Sequence, residues 1–421
     1  MTNINLLKRF LSKFLILTIA TVLTLILCEL ALRCFFEQPS NVIINLSVKS
    51  NDNYDSQHVT LTEHPEEGGV YIETSAGRRL RPNTNIIIKN HSLSKREIKI
   101  SINSLGYRNP ELKNKTKKRI LFLGDSITFG DYLAETETFV RLVENIYNTK
   151  NSNPQNQIET INAGVGSIGL ESEIAILKET GLSVKPDIVI LDFYLNDFEQ
   201  SPGVKLLKVP KLLNNLWLAH YAYKTASIIR MRLSKNANSW ENPRKLRIWM
   251  NEIKNSSATA NSNTSAITLS DTITAARIRE QEEFNNLIIR NIRDWGLAWS
   301  ATAWNDMQPF FDELKHLSDR HHFKLMFIAF PVAEQVKMQF VDDFPQRKLR
   351  ETAKRLNIPF LDMLPTLRTA YQKTYNITEL FYDHCHHTPA GNLIIANTIS
   401  NFINNYLADN SNISGLKNIP Q

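Results

Sequence analysis

Three cysteines in 421 residues, Cys28, Cys34 and Cys385, are too few and too badly spaced for a disulfide framework or a zinc pair. No internal repeat is apparent. Lysine and arginine outnumber aspartate and glutamate, 49 to 42, giving a net charge of +7 and a pI near 9.1. Those basic residues are spread along the chain rather than gathered in one arm, so no nucleic-acid partner is expected. What is present is globular in character, with 42% hydrophobic and 22% charged residues, enough for one large domain plus attachments.

The N-terminus carries the clearest topological signal. In "NLLKRFLSKFLILTIATVLTLILCELALRCFFEQP", Lys8, Arg9 and Lys13 precede an apolar stretch from Phe14 to about Phe36, broken only by Glu29 and Arg33. At about 1.5 Å per residue this crosses a hydrocarbon core of roughly 30 Å. Glu29 and Arg33, four apart, share one helical face and can pair near the far interface. No small-x-small site follows the apolar core, and Leu27 precedes Cys28 where a lipoprotein needs a small residue. An uncleaved signal anchor is therefore favoured over a cleaved signal peptide. The positive-inside rule puts the rest of the chain outside the cytoplasm. The expected division is a cytoplasmic end at 1–13, the anchor at 14–36, a small β-rich extension at 37–117, a main domain at 118–410 and a tail at 411–421.

From Arg119 the pattern changes. "RILFLGD", "QIETINAG", "DIVILDFYLND", "FKLMFIAFPV" and "IPFLDM" are short apolar runs rich in β-branched and aromatic residues, each followed by turn residues. Helical candidates include Glu135 to Thr149, Leu170 to Leu182, Trp304 to Leu317, Asp342 to Leu356 and Pro389 to Tyr406. Such alternation predicts a parallel sheet with helices on both faces. Residues 200–304 interrupt it and read as a helical insertion around the polar piece "NSSATANSNTSAITLSD", which is expected to be mobile.

In an open parallel sheet, working residues collect beyond the carboxyl ends of the strands. "GDS", "NAGVGS", "YLND" and "DHCHHTPAGN" fall there. Ser126 would sit where a strand turns into a helix, His386 could remove its proton, and Asp383 could fix the imidazole tautomer. Backbone N–H groups near Gly166 and the Asn196 amide can supply an oxyanion hole. Asp125 is read as a partner for the turn rather than a catalyst. The run His384, Cys385, His386, His387 invites a metal reading, but adjacent residues cannot all face one ion, so neither metal nor cofactor is expected. Cys385 reads as a small filler. Trp295, Trp299 and Trp304 are either core packing or a platform for sugar rings.

These blocks resemble the GDSL/SGNH hydrolase superfamily. "GDSITFG" is similar to its nucleophile block, "YLND" to its Asn block with Tyr194 in place of the usual Gly, and "NAGVGSIG" to its Gly block with the small-Gly order inverted as Gly166-Ser167. "DHCHHTPAGN" supplies Asp383 and His386 in the D-x-x-H positions. The resemblance covers roughly Lys118 to Leu407 and implies a flavodoxin-like three-layer α/β/α fold. "INSLGYRNPE" and the anchor look like the superfamily's bacterial members on the outer face of the inner membrane, several acting on acylated polysaccharides. The resemblance thus implies a periplasmic or extracellular serine esterase acting on an acylated carbohydrate or another small ester. The same residues would serve an O-acyltransferase, and the fold alone could serve as a glycan-binding module.

Overall fold

The computed structural model describes residues 2–36, 42–43, 59–61, 70–74, 77–88, 91, 93–198, 205–206, 213, 215–233, 248, 251–252, 269–292 and 294–416. Its centre is a five-stranded sheet of β1 (Lys118–Leu123), β2 (Ile158–Asn162), β3 (Ile188–Phe193), β4 (Lys324–Ala329) and β5 (Phe360–Asp362). All pairings are parallel, with Ile120 opposite Ile188, Leu121 opposite Ile161, Phe327 opposite Leu191 and Ile328 opposite Leu361. The strand order is β2-β1-β3-β4-β5, the flavodoxin-like arrangement. The chain reverses direction across the sheet between β1 and β3, the switch point at whose carboxyl ends open α/β sheets carry a crevice. Every residue of β3, and every residue of β1 after Lys118, is buried, as expected of strands covered on both faces.

The covering helices fall into two groups. Phe139–Lys150 packs on Pro389–Leu416, which also meets Leu364–Thr374. Ala301–His321 packs on Leu170–Glu179 and on Phe344–Leu356. Capping moves several ends away from the sequence expectation. Glu135–Glu137 forms a separate 3₁₀ turn because Thr138 caps the helix that follows, its Oγ1 accepting the Arg141 N–H at 3.4 Å. Ser300 starts the next long helix three residues early by accepting the Ala303 N–H at 3.2 Å. The second expected helix stops at Glu179, and Gly181–Val184 forms a 3₁₀ turn.

Ahead of the sheet, the described residues include several short strands. Val59–Leu61, Thr84–Ile88 and Ile98–Ile102 form an antiparallel sheet, and Tyr71–Thr74 pairs with Gly77–Leu80 as a hairpin. Before that comes one long helix, Thr2–Phe35, whose stretch Phe10–Phe35 is long and apolar enough to cross a membrane. The insertion contributes the helices Trp217–Leu233 and Leu269–Arg290. Its polar piece, 255–271, lies outside the described residues apart from the start of the second helix. The tryptophans resolve toward packing. Trp295 is 1% exposed and stacks on Phe284, and Trp304 is 2% exposed between Phe193 and Phe311.

Candidate active site

The nucleophile turn is built from small and capping residues. A Cβ on Gly124 would lie 2.2 Å from Thr128 Oγ1, so the strand exit accepts no side chain there. Asp125 Oδ1 accepts the Ile127 N–H at 2.9 Å, which caps the single helical turn Ser126–Phe129. Gly130, at φ 81°, ends that turn with its N–H on the Ser126 carbonyl at 2.8 Å. The turn is also stitched to the loop after β2. Asn162 Nδ2 donates to the Thr128 carbonyl at 2.7 Å, and a Cβ on Gly164 would stand 2.3 Å from Phe129 N. From the extension, the buried Arg108 guanidinium donates to the carbonyls of Phe129, Gly130 and Leu133. Burial pushes Arg108 down to about 10, which still leaves it charged at neutral pH.

The last loop brings the other two predicted partners. Asp383 Oδ1 accepts the N–H groups of Cys385 and His386 at 2.9 and 2.7 Å, so the carboxylate organises the turn that carries the histidine. Its Oδ2 lies 2.7 Å from His386 Nδ1, and His386 Nε2 lies 2.8 Å from Ser126 Oγ. With Nδ1–H donating to Asp383, Nε2 is the acceptor for the serine hydroxyl. Burial favours the neutral ring, but the hydrogen bond and charge of Asp383, backed by Asp131 and Asp125, outweigh it and raise the His386 pKa. Burial likewise opposes ionisation of Asp383, yet its bond to His386 holds it well below the usual carboxylate range.

The four adjacent residues of the metal reading part company here. His384 pairs with Asp294 at 3.0 Å and is pushed up to about 9, the pair outweighing burial. Cys385 is buried, and burial raises its thiol pKa. His387 packs on Phe381 and is pushed down to about 3 by burial. Asp383, Cys385 and His386 do place donor atoms within 4.8 Å of one another. Both imidazole nitrogens of His386 are, however, already taken up by Asp383 and Ser126.

Asn196 is half-buried in the turn after β3, its side chain against the Asp125 carboxyl. Tyr194, where a glycine was expected, is fully buried, and its N–H is held by Asp197 Oδ2 at 2.9 Å. Gly166 is buried, with its carbonyl on Arg78 at 3.3 Å. Ser167 takes φ 58°, the left-handed conformation that favours glycine. That is the backbone consequence of the inverted Gly-Ser order. Among the described residues, neither the Gly166 nor the Ser167 N–H makes a hydrogen bond.

Several site residues escaped the sequence reading. Asp131 Oδ2 lies 3.8 Å from His386 Nε2, and its Oδ1 accepts from Tyr71 Oη at 3.3 Å. The Tyr132 ring meets the His386 ring edge-on at 4.6 Å. Beneath the turn lie four buried carboxyls. Burial pushes Asp125 up to about 6 and raises Glu173, Asp192 and Asp197 well above the ordinary range. Thr128 Oγ1 donates to Asp192 at 2.9 Å, and Glu173 lies against the Asp197 carboxyl.

No protein-family model matches the chain, and no curated protein matches it. Solved structures resembling it include the acetyl xylan esterase AlAXEase, at 13% identity and TM-score 0.35, covering 67% of this chain and 97% of that one. Another is a catalytic mutant of Axe2, an acetylxylan esterase from Geobacillus stearothermophilus, at 13% identity and TM-score 0.39, covering 69% and 96%. A two-domain esterase, CEX, active on acetylated mannans, matches at 16% identity and TM-score 0.33, covering 68% of this chain and 49% of that one.

Proposed function

We propose that the chain is a membrane-anchored serine esterase that removes or transfers acyl groups, O-acetyl above all, on a cell-envelope carbohydrate. The observation that carries this reading is the chain of contacts Ser126 Oγ to His386 Nε2 at 2.8 Å and His386 Nδ1 to Asp383 at 2.7 Å. A serine at a helix start needs no histidine on its hydroxyl, and a histidine there needs no half-buried carboxylate behind it.

In the reaction, Ser126 Oγ attacks the ester carbonyl carbon while His386 Nε2 takes its proton. The carbonyl oxygen becomes an oxyanion, for which the Asn196 amide and the unpaired N–H groups of Gly166 and Ser167 are the candidate donors. The imidazolium, steadied by Asp383, returns the proton to the leaving alkoxide and an acyl-serine remains. Water or an acceptor hydroxyl then repeats the sequence in reverse, with His386 again as base. Lys8, Arg9 and Lys13 in the first turns of the N-terminal helix would orient this domain to the periplasmic or outer side of a bacterial inner membrane.

Turnover of a simple acetyl ester tests the assignment. Ser126→Ala and His386→Ala should each remove nearly all activity, and the double variant should be scarcely worse, because groups acting as one unit are non-additive. A serine-reactive phosphonate should add its mass to the wild type and not to Ser126→Ala. Wild-type turnover in folded Ser126→Ala would rule out Ser126 as the nucleophile, and a folded wild type with no turnover and no phosphonate adduct would favour the glycan-binding module.

A further inference from the structure

We infer that the N-terminal helix is a permanent part of the fold and acts as a socket, seating the start of the insertion helix in the lipid interface of the membrane it spans. This rests on the reading of that helix as a membrane span. The apolar stretch Phe10–Phe35 has 26 residues, about 39 Å at 1.5 Å per residue, so it outruns a hydrocarbon core of roughly 30 Å. Its last turns carry an ionisable pair, with Arg33 Nε on Glu29 Oε1 at 2.8 Å. Ionisable groups at such a depth call for partners.

The partners come from the insertion. Glu29 Oε1 accepts the Trp217 N–H at 2.9 Å and Oε2 the Leu218 N–H at 2.8 Å. These are otherwise unsatisfied donors at the N-terminus of Trp217–Leu233, where a carboxylate also suits the helix dipole. Arg33 Nη2 donates to the Asn215 carbonyl at 2.6 Å, and its guanidinium stands over the Trp217 ring, 5.4 Å from the centroid. Phe36 meets Tyr221 edge-on at 6.1 Å. A separate contact ties the same regions together, because Val42–Ile43 just beyond the span pairs antiparallel with Lys205–Leu206 just before the insertion helix. Cleavage of residues 1–36 as a signal peptide would remove the cap, the stacked cation and the ring contact at once.

Lipid is the occupant that this geometry selects for the exposed face. Glu29 sits six residues before Phe35, about 9 Å along the axis, which is about the length by which the stretch outruns the core, so it holds Trp217 near the outer boundary of the hydrocarbon. That is the depth at which tryptophan and arginine gather in membrane proteins. Leu216, beside it, is 43% exposed.

The test uses the full-length chain in phosphatidylethanolamine/phosphatidylglycerol vesicles. Cys28→Ser and Cys34→Ser clear the accessible thiols, Cys385 being buried, and Leu216→Cys carries an environment-sensitive fluorophore. The label should be quenched by lipids bearing a shallow nitroxide and shielded from aqueous iodide. Glu29→Ala should lose that quenching and gain iodide access, and Glu29→Gln, which keeps an acceptor oxygen, should lose only part. Acetyl-ester turnover in the same vesicles reports whether each variant has folded. A label open to iodide in the starting protein, or one unmoved by Glu29→Ala, overturns the docking and leaves the span reading standing. Intact mass of the membrane-recovered wild type separates the two, since loss of residues 1–36 would overturn both.

Discussion

Gly164→Ala tests how the nucleophile turn is held. The added methyl would lie 2.3 Å from Phe129 N, 2.7 Å from the Thr128 carbonyl carbon and 2.9 Å from Phe129 Cα. All three are backbone atoms of the turn that carries Ser126, so no side chain can swing away to relieve the contact. The backbone must move, breaking the Asn162 to Thr128 bond and the Val165 N–H to Gly124 carbonyl bond at 3.1 Å. Overpacking of this kind costs about 3 kcal/mol, at the upper end of the usual range. On the scale of domains of 150–250 residues that is a fall in Tm of roughly 6–12 °C. Ester turnover should fall further than stability, because Ser126 leaves its place 2.8 Å from His386. Gly166→Ala is the internal control. Its Cβ would meet Tyr71 Oη at 2.5 Å, a side-chain tip rather than backbone, so the melt should fall less than for Gly164→Ala although the Tyr71 bond to Asp131 is displaced. A Gly164→Ala protein with the melting temperature and turnover of the wild type would refute the close approach.

Two further outcomes follow from charge. Asp131, 3.8 Å from His386 Nε2, favours the imidazolium, so Asp131→Asn should lower the His386 pKa and move the acidic limb of kcat/KM to lower pH; a limb that stays in place or moves upward would rule out that coupling. Glu173 is fully buried, and its folded pKa is raised by burial, so the native state binds the extra proton and wild-type stability falls as pH climbs from the ordinary carboxylate range toward the folded value. Glu173→Gln removes that cost and should raise Tm at neutral pH, with the gain shrinking as the pH is lowered toward about 4.3 and gone below it; a gain that is independent of pH would contradict the linkage.

The sheet was legible in the sequence because strands covered on both faces leave continuous runs such as Ile120–Leu123 and Ile188–Phe193, and short turns follow them. The blocks around Ser126 and His386 were legible because they are local, with Asp383 and His386 sharing one turn. Helix ends were less so, since Thr138 and Ser300 set them through side-chain caps that compete with longer apolar patterns. Glu173 could not be found at all. In "LESEIAILKE" it reads as one more solvent-facing acid, and only packing under the turn buries it. Tyr71 left no signal, and Arg108 stood inside "INSLGYRNPE" with no role to read, because their approach to the site depends on how the extension folds back onto the sheet.

That fold-back changes what the extension is. The carbonyls of Phe129, Gly130 and Leu133 close the turn after Ser126, and all three are satisfied by Arg108. A buried carbonyl without a partner costs on the order of 1–3 kcal/mol, so removing the guanidinium would strand those of Phe129 and Leu133, Gly130 keeping the Leu133 N–H at 3.1 Å, at the loop that also carries Asp131 and Tyr132 to His386. Glu179, from the helix after the Gly block, pairs with Arg79 of the hairpin at 2.8 Å, and Tyr71 of the same hairpin reaches Asp131. Contacts of this kind fix one wall of the crevice from outside the parallel sheet. The residues before Lys118 therefore act as part of the candidate active site, with the nucleophile turn held between them and the loop after β2.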